Sequence, residues 1–230
     1  QVSNESNIAR ISRYGFAFGY LGGGLLFLIN AAMTIKPEFF GLSSVADAVR
    51  WSFLSVSVWW TLFLIPILLK IQDKGANLPG SHFKLAYTKV FNTLKTVSAK
   101  KNVFIFLLAF FLYIDGVHTI MAMAADFALN LGLPSSDVII ALILVQFVAF
   151  PTTLLWSKFA YKFGDKNTLL FTISLYLIVI GYSAFLSNAI EFYILASMVG
   201  AIQGGIQSIS RSYYATLIPQ DESGEYFGFY

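Results

Sequence analysis

Six stretches of this chain are long, apolar and almost free of charge. They run approximately over Tyr14–Ile35, Trp51–Leu69, Val103–Leu129, Val138–Trp156, Thr168–Leu186 and Ile190–Tyr213. About 20 such residues, wound as a helix, cross a hydrocarbon layer of roughly 30 Å. Lipid offers an unpaired amide no partner, so helices are the expected form. The runs do not alternate as barrel strands would. The fold class that follows is all-α, a polytopic transmembrane helical bundle. Composition agrees, with 57% of residues hydrophobic and 12% charged. Soluble domains carry about 25% charged residues.

The cations sort onto alternate connections. Arg10 and Arg13 precede the first run. Residues 70–101 carry Lys70, Lys74, Lys84, Lys89, Lys95, Lys100 and Lys101 against a single Asp73, and the fourth connection carries Lys158, Lys162 and Lys166. The connections between these are poor in cations. The last tail sets Arg211 against Asp221, Glu222 and Glu225. Basic loops stay cytoplasmic, so six spans with both ends cytoplasmic is the expected topology. In the long basic connection Phe83, Tyr87, Val90, Phe91, Leu94 and Val97 recur at helical spacing among lysines. This predicts an amphipathic helix on the cytoplasmic face. The chain opens without methionine and ends on EYFGFY, where another apolar segment starts; it is expected to be cut from a longer protein.

Ionisable residues inside such runs are functional candidates. FLYIDGVHTIMAMAADFA places Asp115 and His118 three residues apart on one helix face. Asp115 lies roughly 18 Å into its span, where an acid costs on the order of 2.5–3.5 kcal/mol on insertion scales. Together they could take, pass and release a proton; the structural alternative is a polar pair tying two helices. Asp126 is nearer the outer interface and is a weaker solute-binding candidate. In GAIQGGIQSISRSYY, Gln203 and Gln207 stand one turn apart beside Gly200, Gly204 and Gly205, with Arg211 toward the cytoplasmic end. These amides suit a polar solute or interhelical bonding. Pro66 and Pro151 predict bends in the second and fourth spans.

The first span reads RYGFAFGYLGGGLLFLIN, with Gly15, Gly19 and Gly23 four apart and Gly24 following. Such spacing clears a face for helix packing. It also resembles the GxxxGPxxGG motif of the major facilitator superfamily, with Tyr20 where the motif has proline. The segment Ser157–Lys166 resembles that superfamily's GxxxDRxGRR loop: Lys162, Gly164 and Lys166 fit, while Ser157, Tyr161 and Asp165 depart. RYGFAFGYLGG, FLYIDGVHTI and GAIQGGIQSISRSYYATLIP followed by EYFGFY resemble the autophagy-related vacuole effluxer-like branch.

The resemblance implies a partial major facilitator fold. Residues 1–71 would hold the last two helices of the N-terminal half and 72–101 the connecting loop. Residues 102–230 would hold four helices of the C-terminal half and the start of a fifth. It implies alternating-access transport of a small solute, with amino-acid efflux as the fungal activity, and a cytoplasmic latch or gate at Lys162, Gly164, Lys166 and Arg211. The expected setting is a bacterial inner membrane or a vacuolar membrane, with lipid, solute and protons as partners.

The chain has no phosphate-binding GxxxxGK[ST], no HExxH and no cysteine, so neither an ATP-driven pump nor an enzyme is expected. No cofactor, metal or nucleic acid is expected either. The alternative to a transporter is a non-transporting membrane scaffold or receptor.

Overall fold

The computed structural model describes residues 8–70, 82–219 and 222–230. Asp73, Lys74 and Asp221 lie outside these residues, as do the side chains of Arg10, Phe83, Lys84 and Lys89. The described chain is helical: α1 (Ile8–Ile35), a 3-10 turn (Pro37–Phe40), α2 (Val45–Lys70), α3 (His82–Ala99), α4 (Lys101–Asn130), α5 (Ser135–Phe163), α6 (Asp165–Ser183), α7 (Ala189–Leu217) and α8 (Ser223–Phe229). Six of these helices are long and apolar enough to cross a membrane. α3 occupies the position of the expected amphipathic helix.

Most helices outrun the apolar stretches, because the hydrogen-bonded spiral continues past the edge of the hydrocarbon. α5 extends from Trp156 through Lys158 and Lys162, so the expected fourth loop shrinks to Gly164 alone. Gly164 has φ +82°, a conformation a side chain would strain. It lets the chain reverse within one residue and makes Asp165 the first residue of α6.

The fifth span stops earlier than its hydropathy suggests, at Ser183 rather than Leu186. The cause is the start of α7. Asn188 Oδ1 accepts the Glu191 N–H at 3.0 Å, and the Glu191 carboxylate accepts the Ser187 N–H at 2.8 Å. This reciprocal cap commits the preceding residues to a turn.

The chain forms two compact units, Gly23–Ala86 and Gln1–Gly22 with Tyr87–Tyr230. In the first, Ser55 Oγ donates to Asn30 Oδ1 at 2.8 Å, joining α2 to α1. α2 otherwise buries only Ala48 and presents Phe53, Trp60 and Leu69 outward.

In the second unit α7 is the hub, packed against α4, α5 and α6. Its sequence explains why. Small residues remove the bulk that would hold neighbours off. A Cβ added at Gly200 would lie 2.6 Å from the Val145 carbonyl oxygen, and one at Gly204 would collide with Thr153 Oγ1. One at Gly205 would meet the Trp156 ring at 2.6 Å. Trp156 Nε1 uses this proximity to donate to the Ala201 carbonyl at 2.7 Å. Trp156→Phe keeps the ring and loses that donor. It is expected to destabilise by about 1 kcal/mol, read as a small fall in the detergent-solubilised melting temperature.

The last turns of α7 meet an aromatic cluster from α4 and α8. Phe106 stacks on Tyr214 at 5.5 Å, and Phe110 on Tyr230 at 4.1 Å. The fully buried Tyr214 donates its hydroxyl to the Tyr226 carbonyl at 2.8 Å. This pins α8 to the basic end of the bundle.

Candidate functional site

Arg13, near the start of α1, is 6% exposed and holds three elements at once. Its guanidinium donates to Asp165 Oδ1 at 2.5 Å, to Ser212 Oγ at 3.2 Å and to the Ser157 carbonyl at 3.4 Å. Ser212 Oγ donates in turn to Asp165 Oδ2 at 2.8 Å. Arginine suits this position because its rigid fork can serve several acceptors together. Asp165 suits its own, since a carboxylate in the first turn of a helix meets the positive end of the helix dipole. The closed triangle joins α1 to α5, α6 and α7 at the basic end of the spans.

Beside this knot lies a cleft of about 1150 Å³. Gly15, Gly19 and Tyr20 of α1 form one wall, Gln146 of α5 and Gln207 and Arg211 of α7 another, and Glu222, just before α8, and Glu225 within it stand at the end nearest the basic connections. Tyr20 donates its hydroxyl to Gln207 Oε1 at 2.8 Å, which leaves both Gln207 N–H donors for the cleft. Gln146 is half-buried and forms no hydrogen bond with another described residue. An amide without a partner in a membrane span is costly, so the arrangement favours a polar occupant.

The expected site residues fall into separate places. Gln207 and Arg211 line the cleft, and the Arg211 guanidinium sits 5.4 Å from the Phe227 ring centre. Gln203 is fully buried, and neither of its amide atoms finds a partner. Asp115, His118 and Asp126 are exposed on α4, while Val117 between the first two is buried. Asp115 and His118 make no hydrogen bond or ion pair with each other or with another described residue.

Three glycines of α1 meet no close neighbour among the described residues. Nothing lies within 4 Å of a Cβ built at Gly15, Gly19 or Gly23, and Gly24 is buried. Lys162 and Lys166 are exposed, with the Lys162 ammonium 5.2 Å from the Phe163 ring. The ionic contact in this region is made by Arg13, Asp165 and Ser212, none of which was an expected site residue. The signal that could have found it is a lone acid in an otherwise basic connection, with an arginine just inside another span.

A family model described as vacuole effluxer Atg22 like matches residues 2–230 of this chain. The chain belongs to the Atg22-like family. Among its relatives, the Uncharacterized MFS-type transporter YxiO of Bacillus subtilis (strain 168) is 36% identical over 231 residues, covering 100% of this chain and 54% of its own. Autophagy-related protein 22 of Yarrowia lipolytica is 26% identical over 266 residues, covering 100% of this chain and 44% of its own. Autophagy-related protein 22-1 of Penicillium rubens is 27% identical over 253 residues, covering 96% and 41%. The chain thus spans about half the length of the curated relatives it matches. No solved structure matches it significantly.

With six spanning helices and these relatives, the Atg22-like chain is an integral membrane protein. Two departures from the wider superfamily motifs now have physical content. Tyr20, where the α1 motif has proline, supplies the hydroxyl that reaches Gln207. Asp165, where the loop motif has a cation, is the partner of Arg13.

Proposed function

We propose that the protein is a secondary transporter that moves a small polar solute by alternating access, with its basic connections in the cytoplasm. The observation that carries this reading is the buried knot of Arg13, Asp165 and Ser212 beside a cleft furnished with amides. A transporter needs a polar cavity among its spans and a separable contact that closes one end of it. Arg13 and Asp165 form that contact between α1 and the α5–α6 corner. Gln207, Tyr20 and Gln146 then contact the solute. The amide donors of Gln207 and Gln146 suit a carboxylate, which makes amino acids the first solutes to try and agrees with the effluxer description of the family. Arg211 guards the cytoplasmic mouth.

Asp115 and His118 couple the cycle to protons. Their exposure on α4 supports this role, since an acid at membrane depth persists only beside water or a protein partner. The test is solute-triggered proton flux in proteoliposomes bearing the full-length protein under an imposed pH gradient, with a panel of amino acids. Asp115→Asn is expected to lower coupled flux by on the order of tenfold or more while leaving solute binding in place. Unchanged flux would make Asp115 and His118 structural. No flux with any amino acid would remove the substrate assignment and, across a wider panel of polar solutes, the transporter reading itself.

A further inference from the structure

The helix α3 is held by one face and exposed on the next. Thr93 and Val97, one turn apart, are 7% and 2% exposed. Thr93 donates to Glu225 Oε2 of α8 at 2.7 Å. Just beyond α3, the Lys100 ammonium lies 5.1 Å from the ring centre of the buried Tyr226. These contacts fix the rotation of the helix about its axis. At roughly 100° per residue, Val90, Leu94 and Phe91 then fill an arc of roughly 100° beside the docked face. They are 55%, 45% and 61% exposed. Next to this arc come Lys95, also exposed, and then the polar Asn92 and Thr96. Lys101, exposed as well, opens the spanning helix α4 directly after α3.

We propose that this outer face of α3 seats in the adjoining bilayer leaflet and binds anionic phospholipid. The position is set by covalent continuity: α3 ends at Ala99 and a membrane-spanning helix starts at Lys101, so its last turns lie at the level of the lipid headgroups. The occupant is set by charge. An apolar arc edged by ammonium groups matches acyl chains below and phosphate groups above. Lysines also reach headgroups at little cost while their stems stay in apolar surroundings. The same helix bonds through Thr93 to Glu225, which lines the cleft. Leaflet charge therefore bears on the end of the cleft where Glu225 stands. The proposal stands independently of whether the protein transports.

This chain has no cysteine of its own, so in the full-length protein, with any cysteine elsewhere replaced by serine, single nitroxide labels can be placed at Phe91→Cys, Leu94→Cys and, on the polar face, Thr96→Cys. The full-length protein would be reconstituted in phosphatidylcholine with and without phosphatidylglycerol. Label access to oxygen and to a water-soluble nickel complex would then be compared. With phosphatidylglycerol, the labels at 91 and 94 are expected to shift toward oxygen and away from nickel, while the label at 96 stays open to nickel. The shift should be lost in the Lys95→Glu, Lys101→Glu background and weaken with salt. Labels shielded from both reagents would mean that protein covers the face, and would overturn the proposal. So would labels that behave alike with and without phosphatidylglycerol.

Discussion

Arg13→Ala is expected to destabilise the protein by about 3 kcal/mol, the lower end for breaking a buried pair, because the Asp165 side chain it strands keeps 14% exposure. The loss is electrostatic rather than steric. Asp165 and Ser212 would keep their mutual bond, but the carboxylate would lose the cation that the described structure pairs with it. Arg13→Lys should recover only part of the loss, since one ammonium cannot serve Asp165, Ser212 and the Ser157 carbonyl together. Removing both charges, as in Arg13→Ala with Asp165→Ala, should be milder than Arg13→Ala alone, because no buried charge is left unpaired. Thermal unfolding in detergent reads all three. A double variant as damaged as the sum of the singles would show that the pair is not coupled. In proteoliposomes, the closing role proposed for this contact predicts that Arg13→Ala also leaks solute.

The second large effect is at the α5–α7 contact. Gly200→Ala brings a methyl group to 2.6 Å from the Val145 carbonyl oxygen and 2.9 Å from its Cα. Backbone cannot rotate aside, so the two helices must separate along the contact. The expected cost is about 3 kcal/mol or more, at or above the upper end for overpacking a core. Gly204→Ala meets the Thr153 side chain instead. It should therefore be partly rescued by Thr153→Ala, whereas no single side-chain truncation should rescue Gly200→Ala. Melting temperatures of the two singles and the double variant decide this. Equal rescue at both sites would contradict the backbone argument.

Six helices could be recognised from the chain alone because apolar length depends on lipid and not on any partner. The amphipathic character of α3 was visible for a related reason: its period is local. Helix ends were less so. The cap formed by Ser187, Asn188 and Glu191 shortened α6, and the hydrogen-bonded run through Lys162 erased a loop. A lone acid in a basic connection marked one partner of the knot, but the pairing itself was not legible, because Arg13 and Asp165 are 152 positions apart and no periodicity relates them. Tyr20 and Asp165 first looked like defects in familiar motifs, and each proves to be a bonded residue. The glycines of α7 were readable as a thinned surface, but which helix they admit depends on packing. Asp115 and His118 remain what they were from sequence: ionisable groups in a spanning helix, exposed and without a bonded partner among the described residues.

The one-residue joint at Gly164 has a mechanical corollary. α5 and α6 meet with no slack, so Asp165 cannot drift from Arg13 as a loop residue would. Releasing it calls for movement of a whole helix, α1 on one side or the α5–α6 corner on the other. The contact is therefore expected to open by helix movement rather than by the flexing of a loop.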